Sequence, residues 1–416
     1  MQKIKALIQK FASDGLARNS VIVLSGTMGA NVFSYLYHLV MGRILGPSGY
    51  GELSSLLSLN YIFTVPLLVA QTVLIKFVSG FKAHGEVGQA KTLFIKATKL
   101  FVIVSLVGLP LVSAVSPWVT SFLHLSSTYL FILIYLLLAF SLLSIASSGT
   151  LSGYQMFIWM SILSPISILV KLILSIPFAT WGVPGVLTAA VVAGAISYGL
   201  YFLPLRFLLR ARQKPTNVTK RSAFGFAVPT LLTQLGITSL YSTDIILVRH
   251  FFSAHDAGLY ASLAVLGKII FFASSAVPTV LFPLASERHA VGGKTKKLVL
   301  SAAGAVGVIS LSLTILFFLL PGLFIRLLFG NAYTGGEPLL GQFGIFLSLF
   351  SVGNILALSN LAVGKVGIWI IPVVAAIVQV VGITMFHTTL AGVILLNIGV
   401  SSFFAIGALA YYYAKI

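Results

Sequence analysis

The chain contains no cysteine and only seven acidic residues among its 416 positions. The absence of cysteine excludes disulfides, thiolate metal sites and a cysteine nucleophile. Charged residues make up 8% of the sequence, whereas a soluble domain carries about a quarter. So few charges cannot cover a water-exposed surface. The composition therefore predicts an integral membrane protein.

Hydrophobic residues make up 58% of the chain. They form runs of about 20 residues each, which is the length that a helix needs to span a membrane. A membrane β-barrel would instead show alternating segments of about 10 residues. We therefore predict an all-α integral membrane protein with about twelve transmembrane helices. The predicted segments are 20–43, 52–78, 97–116, 128–148, 157–178, 185–205, 223–248, 257–284, 298–320, 337–360, 366–386 and 389–413.

Basic residues dominate the charge, and the formal net charge is +19. Most of them fall in alternate connections, at residues 3–18, 82–99, 206–221, 288–297, 365 and 415. Positive charge is retained in cytoplasmic loops, so both termini are predicted to be cytoplasmic. The basic, amphipathic start of the chain is interpreted as a cytoplasmic surface helix. No soluble basic module is present, so nucleic acid is not an expected partner.

The connection "RFLLRARQKPTNVTKRS" lies halfway along the sequence. We interpret residues 206–222 as a basic cytoplasmic linker between an N-terminal six-helix lobe (1–205) and a C-terminal one (223–416). An internal repeat supports the division, because "GRILGPSGYGELSSLLSLNYIF" aligns with "VRHFFSAHDAGLYASLAVLGKIIF". Two such halves would share one orientation, related by a pseudo-two-fold axis along the membrane normal. This pattern is typical of transporters.

The corner "RILGPSGYGEL" resembles the first hairpin of the polysaccharide-biosynthesis, O-antigen-type lipid-linked oligosaccharide flippases. These belong to the multidrug/oligosaccharidyl-lipid/polysaccharide (MOP) exporter superfamily. "TDIILVRHFFSAHDAGLYASLAVLGK" and "LFGNAYTGGEPLLGQFGIFLSL" resemble later helices of the same family. The resemblance implies a V-shaped, MATE-like bundle whose helices 1, 2, 7 and 8 line a cavity. It also implies transfer of a polyprenyl-diphosphate-linked oligosaccharide across the cytoplasmic (inner) membrane of a prokaryote.

Lys268 is the strongest candidate for a substrate-binding residue. It lies about 17 Å from the outer end of its predicted helix at 1.5 Å per residue. A charge at that depth costs several kcal/mol unless it faces a cavity or a partner. Lys268 would therefore bind the substrate diphosphate or form a structural ion pair. Lys171 is a second candidate, at a depth that snorkelling could also satisfy.

Asp244 lies in the outer part of predicted helix 7, where related sequences often carry an acid. It would bind a coupling proton or cation, or pair with a nearby basic residue. Arg43 and Arg249 end predicted helices 1 and 7 and could contact the substrate, a headgroup or a neighbouring acid. Lys76 lies at the cytoplasmic end of helix 2, either as an entry contact or as an interfacial anchor.

Polar side chains in predicted spans are candidates for a sugar-binding wall, although interhelical hydrogen bonds explain them equally well. The amides are Asn31, Asn60, Gln71 and Gln234, and the aromatic residues that could stack on sugar rings are Tyr35, Tyr37, Tyr61 and Tyr241. No nucleotide-binding motif, metal-ligand spacing or pair of catalytic carboxylates is visible. The sequence therefore predicts a protein that is not an enzyme and has no cofactor.

The expected function is a flippase for a lipid-linked oligosaccharide, coupled to protons, sodium or the membrane potential. Membrane lipids are expected partners, with a polymerase and glycosyltransferases of the same pathway as further ones, and the chain is expected to be a monomer. One alternative is a MATE-like multidrug or cation antiporter. Another is a peptidoglycan lipid-precursor flippase, although relatives with that role have fourteen spans. A membrane-embedded glycosyltransferase or polymerase is less favoured, because large loops with catalytic acids are missing.

Overall fold

The computed structural model describes residues 15–215, 221–274 and 295–414, together with residues 277 and 281. Over these residues the chain forms helices, turns and short 3₁₀ segments, with no strand. This confirms the all-α membrane fold predicted from the apolar runs. The predicted amphipathic start before residue 15 and positions 216–220 of the predicted linker lie outside the described residues.

Fourteen α-helices follow one another in the described part of the chain. In the first half they are α1 (Gly15–Ala83), α2 (Val87–Phe122), α3 (Tyr129–Gly153), α4 (Phe157–Phe178), α5 (Gly182–Leu200) and α6 (Phe202–Arg210). In the second half they are α7 (Arg221–Leu240), α8 (Thr243–Phe251), α9 (Ala254–Ser274), α10 (Lys296–Leu319), α11 (Pro321–Leu328), α12 (Glu337–Ala362), α13 (Ile370–Met385) and α14 (Leu390–Ala414). Short 3₁₀ segments occupy Ala179–Trp181, Asn331–Gly336 and Val366–Trp369.

The helices coincide with the predicted membrane segments. In the described part of the chain, nine helices are long and apolar enough to span a membrane, and one bent pair adds a tenth candidate. Two of the nine, Ser25–Ala83 and Phe157–Leu200, each cover two of the segments predicted from sequence. The long first helix is interrupted at Gly46, where φ is 66° and ψ is 178°.

The break at Gly46 explains why the segment "RILGPSGYGEL" contains glycine followed by proline. Glycine adopts a positive φ at little steric cost because it has no Cβ. Pro47 follows at the first position of the next helical segment, where its missing N–H would have no helical partner anyway. Gly46 is the one residue with non-helical φ and ψ inside this helix.

The predicted helix over 223–248 differs from the structure. Two helices, α7 and α8, replace it and meet at an angle of 43°. The backbone N–H of Ser242 bonds to the carbonyl of Ser239, and the hydroxyls of Ser239 and Thr243 lie 2.7 Å apart. Serine and threonine hydroxyls compete with the helical backbone for hydrogen bonds, which permits a break without proline.

The chain divides into two compact units. Unit 1 comprises Met1–His38, Pro66–Trp118 and Ser127–Ala223, and unit 2 comprises Leu39–Val65, Val119–Ser126 and Phe224–Ile416. Unit 2 therefore includes the hairpin around Gly46 and the α2–α3 loop, in addition to the C-terminal helices. The division into six-helix lobes on either side of a 206–222 linker stays a prediction.

Each unit has its own apolar core. In unit 1 the core includes Leu74, Phe94, Ala146, Leu151 and Leu205. In unit 2 large aromatic side chains are fully buried, including Tyr260, Phe343, Phe346, Phe350 and Phe404. Many large apolar side chains on α2 and α10 are exposed, as expected for surfaces that contact lipid.

Candidate substrate-binding and coupling sites

Lys268 lies within helix α9, about 21 Å along the helix from its start at Ala254. Its Nζ is 5.2 Å from the ring centre of Tyr61 and 5.4 Å from that of Tyr241. An ammonium within about 6 Å of an aromatic ring is attracted by the ring's negative face. Two of the tyrosines proposed to stack on sugars therefore flank the proposed cation, and all three belong to unit 2.

The ring of Tyr241 is held by further aromatic side chains. It stacks at 6.1 Å on Phe271 and meets Phe350 edge-on at 5.7 Å. Phe271 and Phe350 are themselves 5.6 Å apart. Offset and edge-on ring pairs add stability beyond simple burial. The aromatic surroundings of Lys268 are thus fixed by packing rather than left free to rotate.

Asn60 precedes Tyr61 on helix α1. Its carbonyl accepts a 2.7 Å hydrogen bond from the hydroxyl of Thr64. The side-chain Oδ1 is buried, and within the described residues it has no hydrogen-bond partner. Buried acceptors are normally satisfied, so an orphan acceptor calls for an explanation. A hydroxyl-rich ligand beside Tyr61 would supply the missing donor.

Asp244 is a buried acid of unit 2, with 1% of its surface exposed. Its Oδ2 accepts a 2.7 Å hydrogen bond from the hydroxyl of Tyr260 and a 3.5 Å contact from Nδ2 of Asn397. Nδ2 of Asn397 also donates to the Tyr260 hydroxyl at 2.9 Å. We call Asp244, Tyr260, Asn397 and Gln379 the Asp244 network.

Gln379 links this network to the helix break. Its Nε2 donates to the carbonyl of Leu240, the last residue of α7, and to Oδ1 of Asn397, both at 2.9 Å. The freed carbonyl at the break is therefore satisfied by a side chain, as helix ends require. Asp244 itself lies in the first turn of α8, where a negative charge is favoured by the helix dipole.

Asp244 and Lys268 lie close enough for their opposite charges to interact. They do not meet at contact distance, since within the described ranges the one direct ion pair joins Arg326 and Glu337. Within those ranges, no three His, Asp or Glu side chains lie close enough together to hold a metal ion. Asp244 is thus occupied by neutral donors, while Lys268 is left with aromatic neighbours.

Unit 1 contains the second lysine candidate. Nζ of Lys171 lies 3.9 Å from the ring centre of Tyr37. Gln71 in the same unit donates from Nε2 to the hydroxyl of Ser148 at 3.0 Å. The structure therefore gives Lys171 an aromatic neighbour, as it does Lys268, and gives Gln71 an interhelical hydrogen bond.

The two arginine candidates bind backbone carbonyls. Arg249, 6% exposed, donates from Nε to the carbonyl of Leu123 at 3.0 Å and from Nη2 to that of His124 at 2.9 Å. Arg43 donates to the carbonyls of Leu327 and Leu328. Both sets of contacts lie within unit 2 and give each arginine two backbone carbonyl partners. Neither arginine lies in the aromatic surroundings described for Lys268.

The remaining predicted candidates are Asn31, Gln234, Lys76 and Tyr35. Asn31 and Gln234 are half-buried, and Lys76 is exposed. Tyr35 lies on the same helical segment as Asn31, and its hydroxyl is buried without a partner in the described part of the chain. These four remain candidates from sequence alone.

The two copies of the internal repeat contact each other inside unit 2. A Cβ on Gly51 would lie 2.8 Å from the backbone nitrogen of Gly258. A Cβ on Gly258 would lie 1.9 Å from the carbonyl oxygen of Pro47. Real Cβ atoms do not approach other atoms so closely, so both positions require glycine. The glycines of the corner therefore provide close backbone packing as well as a turn.

Sequence reasoning missed the partners of Asp244. Tyr260, Gln379 and Asn397 are fully buried polar residues within apolar helices. The criterion that selected Asn31 and Gln71, a polar side chain inside a predicted span, applies equally to Gln379 and Asn397. Tyr260 carried no such signal, because fifteen tyrosines are spread through the sequence.

A sequence profile described as "Polysaccharide biosynthesis protein" matches residues 40–337, which is more than half of the chain. This chain belongs to the polysaccharide biosynthesis protein family. The matched range contains both copies of the repeat and both Asp244 and Lys268. No curated protein sequence matches the chain.

Solved structures of the MOP superfamily share the fold of this family member. An inward-facing MATE-family multidrug resistance transporter aligns with a TM-score of 0.76 at 14% identity, covering 95% of this chain and 96% of its own. The lipid II flippase MurJ in an inward closed conformation aligns with a TM-score of 0.73 at 12% identity, covering 95% and 87%. The eukaryotic MATE transporter AtDTX14 aligns with a TM-score of 0.66 at 13% identity, covering 96% of this chain and 96% of its own.

These likenesses show a MATE- and MurJ-like fold over nearly the whole chain. The predicted membership of the polysaccharide biosynthesis family is confirmed by the profile, and the predicted MATE-like fold is confirmed by the solved structures. The polysaccharide biosynthesis protein is thus a multi-pass membrane protein. At such low identity the solved structures define the fold alone, and substrate choice depends on this chain's own residues.

Proposed function

We propose that this protein is a flippase that moves a polyprenyl-diphosphate-linked oligosaccharide across the cytoplasmic membrane by alternating access. The observation that carries the proposal is Lys268, a lysine deep in helix α9 between the rings of Tyr61 and Tyr241. A cation within a membrane span is costly and marks a functional site by default. An anionic headgroup that enters the protein would offset this cost.

The charges of the buried side chains favour an anionic substrate over a cationic drug. A cationic drug requires a carboxylate that is free to face it. Asp244 already accepts hydrogen bonds from Tyr260 and approaches Asn397. Lys268 and Lys171 have aromatic rings beside them, and a diphosphate can displace a cation–π contact with a stronger charge-assisted hydrogen bond.

The sugar portion of the substrate would occupy the polar and aromatic side chains near Lys268. Tyr61 and Tyr241 provide ring faces for stacking, and Oδ1 of Asn60 provides an acceptor for a sugar hydroxyl. The polyprenyl chain would stay in lipid, where each buried methylene is already favourable. In this arrangement only the headgroup needs a path through the protein.

Asp244 is the proposed coupling residue. It is buried at the break between α7 and α8, it senses the charge of Lys268, and its network joins α8, α9, α13 and α14. Loss or gain of a proton or sodium ion at Asp244 would change the hydrogen bonds that hold the break. The driving force would then be a proton gradient, a sodium gradient or the membrane potential.

The cellular setting follows from the substrate. We place the protein in the inner membrane of a prokaryote with both termini cytoplasmic, as the lysine and arginine distribution favours. It would act as a monomer without a bound cofactor and without catalysing a chemical reaction. Glycosyltransferases would supply the lipid-linked sugar, and a polymerase would consume it on the outer side.

The two alternatives make different demands on the protein. A MATE-like antiporter would export cationic compounds and would depend on Asp244 rather than on Lys268. A peptidoglycan-precursor flippase would use the same diphosphate chemistry on a different sugar. The charge of the transported compound distinguishes the antiporter from the proposed flippase. The host pathway that the gene restores distinguishes the peptidoglycan-precursor flippase from it.

Complementation in a flippase-null host tests the proposal. The wild-type gene should restore surface polysaccharide, and Lys268→Ala should abolish it at equal membrane abundance. Arg326→Gln is the matched control, because it removes one cation from an exposed ion pair outside the proposed site. Normal polysaccharide with Lys268→Ala would contradict the proposal. Restored drug resistance in a sensitive host, lost in Asp244→Asn, would favour the antiporter.

A further inference from the structure

The short helix α6 combines basic and apolar side chains on its exposed face. Three of its residues, Pro204, Leu205 and Leu208, are buried within unit 1. The exposed residues are Leu203, Arg206, Phe207, Leu209 and Arg210. Helices that lie in the membrane interface have large apolar side chains beside basic ones, with a polar face toward the headgroups. Helix α6 has this composition at the predicted cytoplasmic end of α5.

The chain that leaves α6 is held against the start of α2. Nζ of Lys91 donates to the carbonyls of Leu209 and Ala211, at 2.5 and 2.9 Å. The backbone N–H of Lys214 donates to the carbonyl of Gly88 at 3.2 Å. The basic segment after α6 is therefore anchored within unit 1 rather than loosely attached.

Gly88 allows this close approach. A Cβ at this position would lie 2.5 Å from the carbonyl oxygen of Arg212. The anchored backbone leaves the side chains of Arg212 and Lys214 exposed. We call the four exposed residues Arg206, Arg210, Arg212 and Lys214 the basic platform.

The basic platform forms no ion pair with the acids that the structure describes. In the same part of the chain, its four side chains take part in no hydrogen bond. The sequence has no acidic residue between Glu86 and Asp244. Four clustered cations create a local field that attracts anions.

Some other basic residues on the predicted cytoplasmic side have partners in the protein. Lys82 donates to Oε1 of Gln155 at 2.8 Å. Lys365 donates to the carbonyl of Tyr412 at 2.6 Å, and Lys296 lies 4.7 Å from the ring centre of Tyr413. A cytoplasmic location alone therefore does not leave a basic side chain without a partner. The platform differs from these lysines because it holds four exposed cations within nine residues of the chain.

We infer that the basic platform binds the headgroups of anionic phospholipids in the cytoplasmic leaflet. The guanidinium groups of Arg206, Arg210 and Arg212 match phosphate oxygens in charge and geometry. The apolar side chains of Leu203 and Phe207 would enter the acyl boundary beside them. This surface fixes the height of unit 1 in the membrane and is separate from the proposed transport site at Lys268.

Lipid binding by the full-length protein tests the inference. The purified chain would be reconstituted in nanodiscs of phosphatidylcholine alone or with an equal part of phosphatidylglycerol, without polyprenyl lipid. Native mass spectrometry would measure the affinity for phosphatidylglycerol. We expect Arg206→Gln, Arg210→Gln and Arg212→Gln each to lower that affinity about fivefold, and the triple variant on the order of a hundredfold.

The matched control is the triple variant Lys82→Gln, Lys296→Gln and Lys365→Gln. It removes the same charge from lysines that have protein partners, and it should keep the wild-type affinity. The triple Arg→Lys variant should retain most of the binding, because the charge persists. Thermal unfolding of each reconstituted variant checks that it is folded.

Two outcomes would overturn the inference. Equal losses in the glutamine triple variant of the platform and in the control would mean that net charge alone attracts the lipid. Displacement of phosphatidylglycerol by an equal concentration of inorganic phosphate would mean that the platform holds free phosphate, not lipid. Neither outcome depends on transport, so failure here and failure of the flippase proposal are distinguishable.

Discussion

Gly258 of the second repeat packs directly on Pro47 of the first, and a Cβ on Gly258 would lie 1.9 Å from the Pro47 carbonyl oxygen. Gly51 of the first repeat packs on Gly258 as well, since a Cβ on Gly51 would lie 2.8 Å from the Gly258 backbone nitrogen. The two corners that revealed the duplication are therefore parts of one interface within unit 2. Their glycines reflect the close approach of two backbones.

Gly258→Ala should strongly destabilise the protein, because backbone atoms cannot move away from the added methyl group as a flexible side chain can. We expect a loss of about 1–3 kcal/mol, the range of overpacked sites. Gly307→Ala is the control, since a Cβ there meets nothing within 4 Å. In mid-helix that change should be neutral or stabilising by about 0.5–1 kcal/mol. Thermal unfolding in detergent measures both, and equal melting temperatures would contradict the packing.

Arg249→Gln should release the loop between α2 and α3. The arginine bonds to two loop carbonyls, and the stacked rings of Phe122 and His250, 4.0 Å apart, support the same contact. The chain has no cysteine, so Leu125→Cys provides a unique probe at a buried loop position. Maleimide should label this cysteine slowly in the wild-type background and at least tenfold faster with Arg249→Gln.

The loop experiment has a matched control in Arg326→Gln, which also removes one arginine from unit 2. Arg326 is exposed and forms a surface ion pair with Glu337, and such pairs contribute about 0–1 kcal/mol. Labelling of Leu125→Cys should not change in this background. Equal labelling rates in the two arginine variants would show that Arg249 does not hold the loop.

Tyr260→Phe should impair coupling more than folding. It removes the 2.7 Å hydrogen bond to Asp244 and the 2.9 Å one from Asn397 but keeps the buried ring. Loss of one buried hydrogen bond costs about 1–3 kcal/mol. Tyr333→Phe removes one hydrogen bond, of 2.7 Å, to the Gly42 carbonyl. Both variants should lose stability, Tyr260→Phe somewhat more, and Tyr260→Phe alone should weaken the dependence of transport on the ion gradient. Equal transport defects would rule out a coupling role for Tyr260.

The sequence predicted those features that depend on local pattern. Apolar runs placed the helices, and the depth of Lys268 in its run identified a buried cation. The break at Gly46 followed from a glycine–proline pair. The break after Leu240 did not, because no glycine or proline lies at the break, where the hydroxyls of Ser239 and Thr243 bond to each other.

The Asp244 network could not be predicted because its members are far apart in sequence. Asp244, Tyr260, Gln379 and Asn397 meet only when four helices pack together. Similarly, the sequence suggested the substrate, a headgroup or a neighbouring acid as the partner of Arg249. Its actual partners are backbone carbonyls, which every residue carries and which leave no signal in a sequence.

Translocation by the purified protein tests the role of Lys268 most directly. Proteoliposomes would receive a polyprenyl-diphosphate oligosaccharide on one side, and a lectin would detect the sugar on the other. Wild type and Lys268→Arg should transfer it, while Lys268→Gln should lose at least tenfold in rate with the same thermal stability. Transfer by Lys268→Gln at the wild-type rate, or no transfer by the wild type above protein-free liposomes, would contradict a flippase that recognises the diphosphate through Lys268.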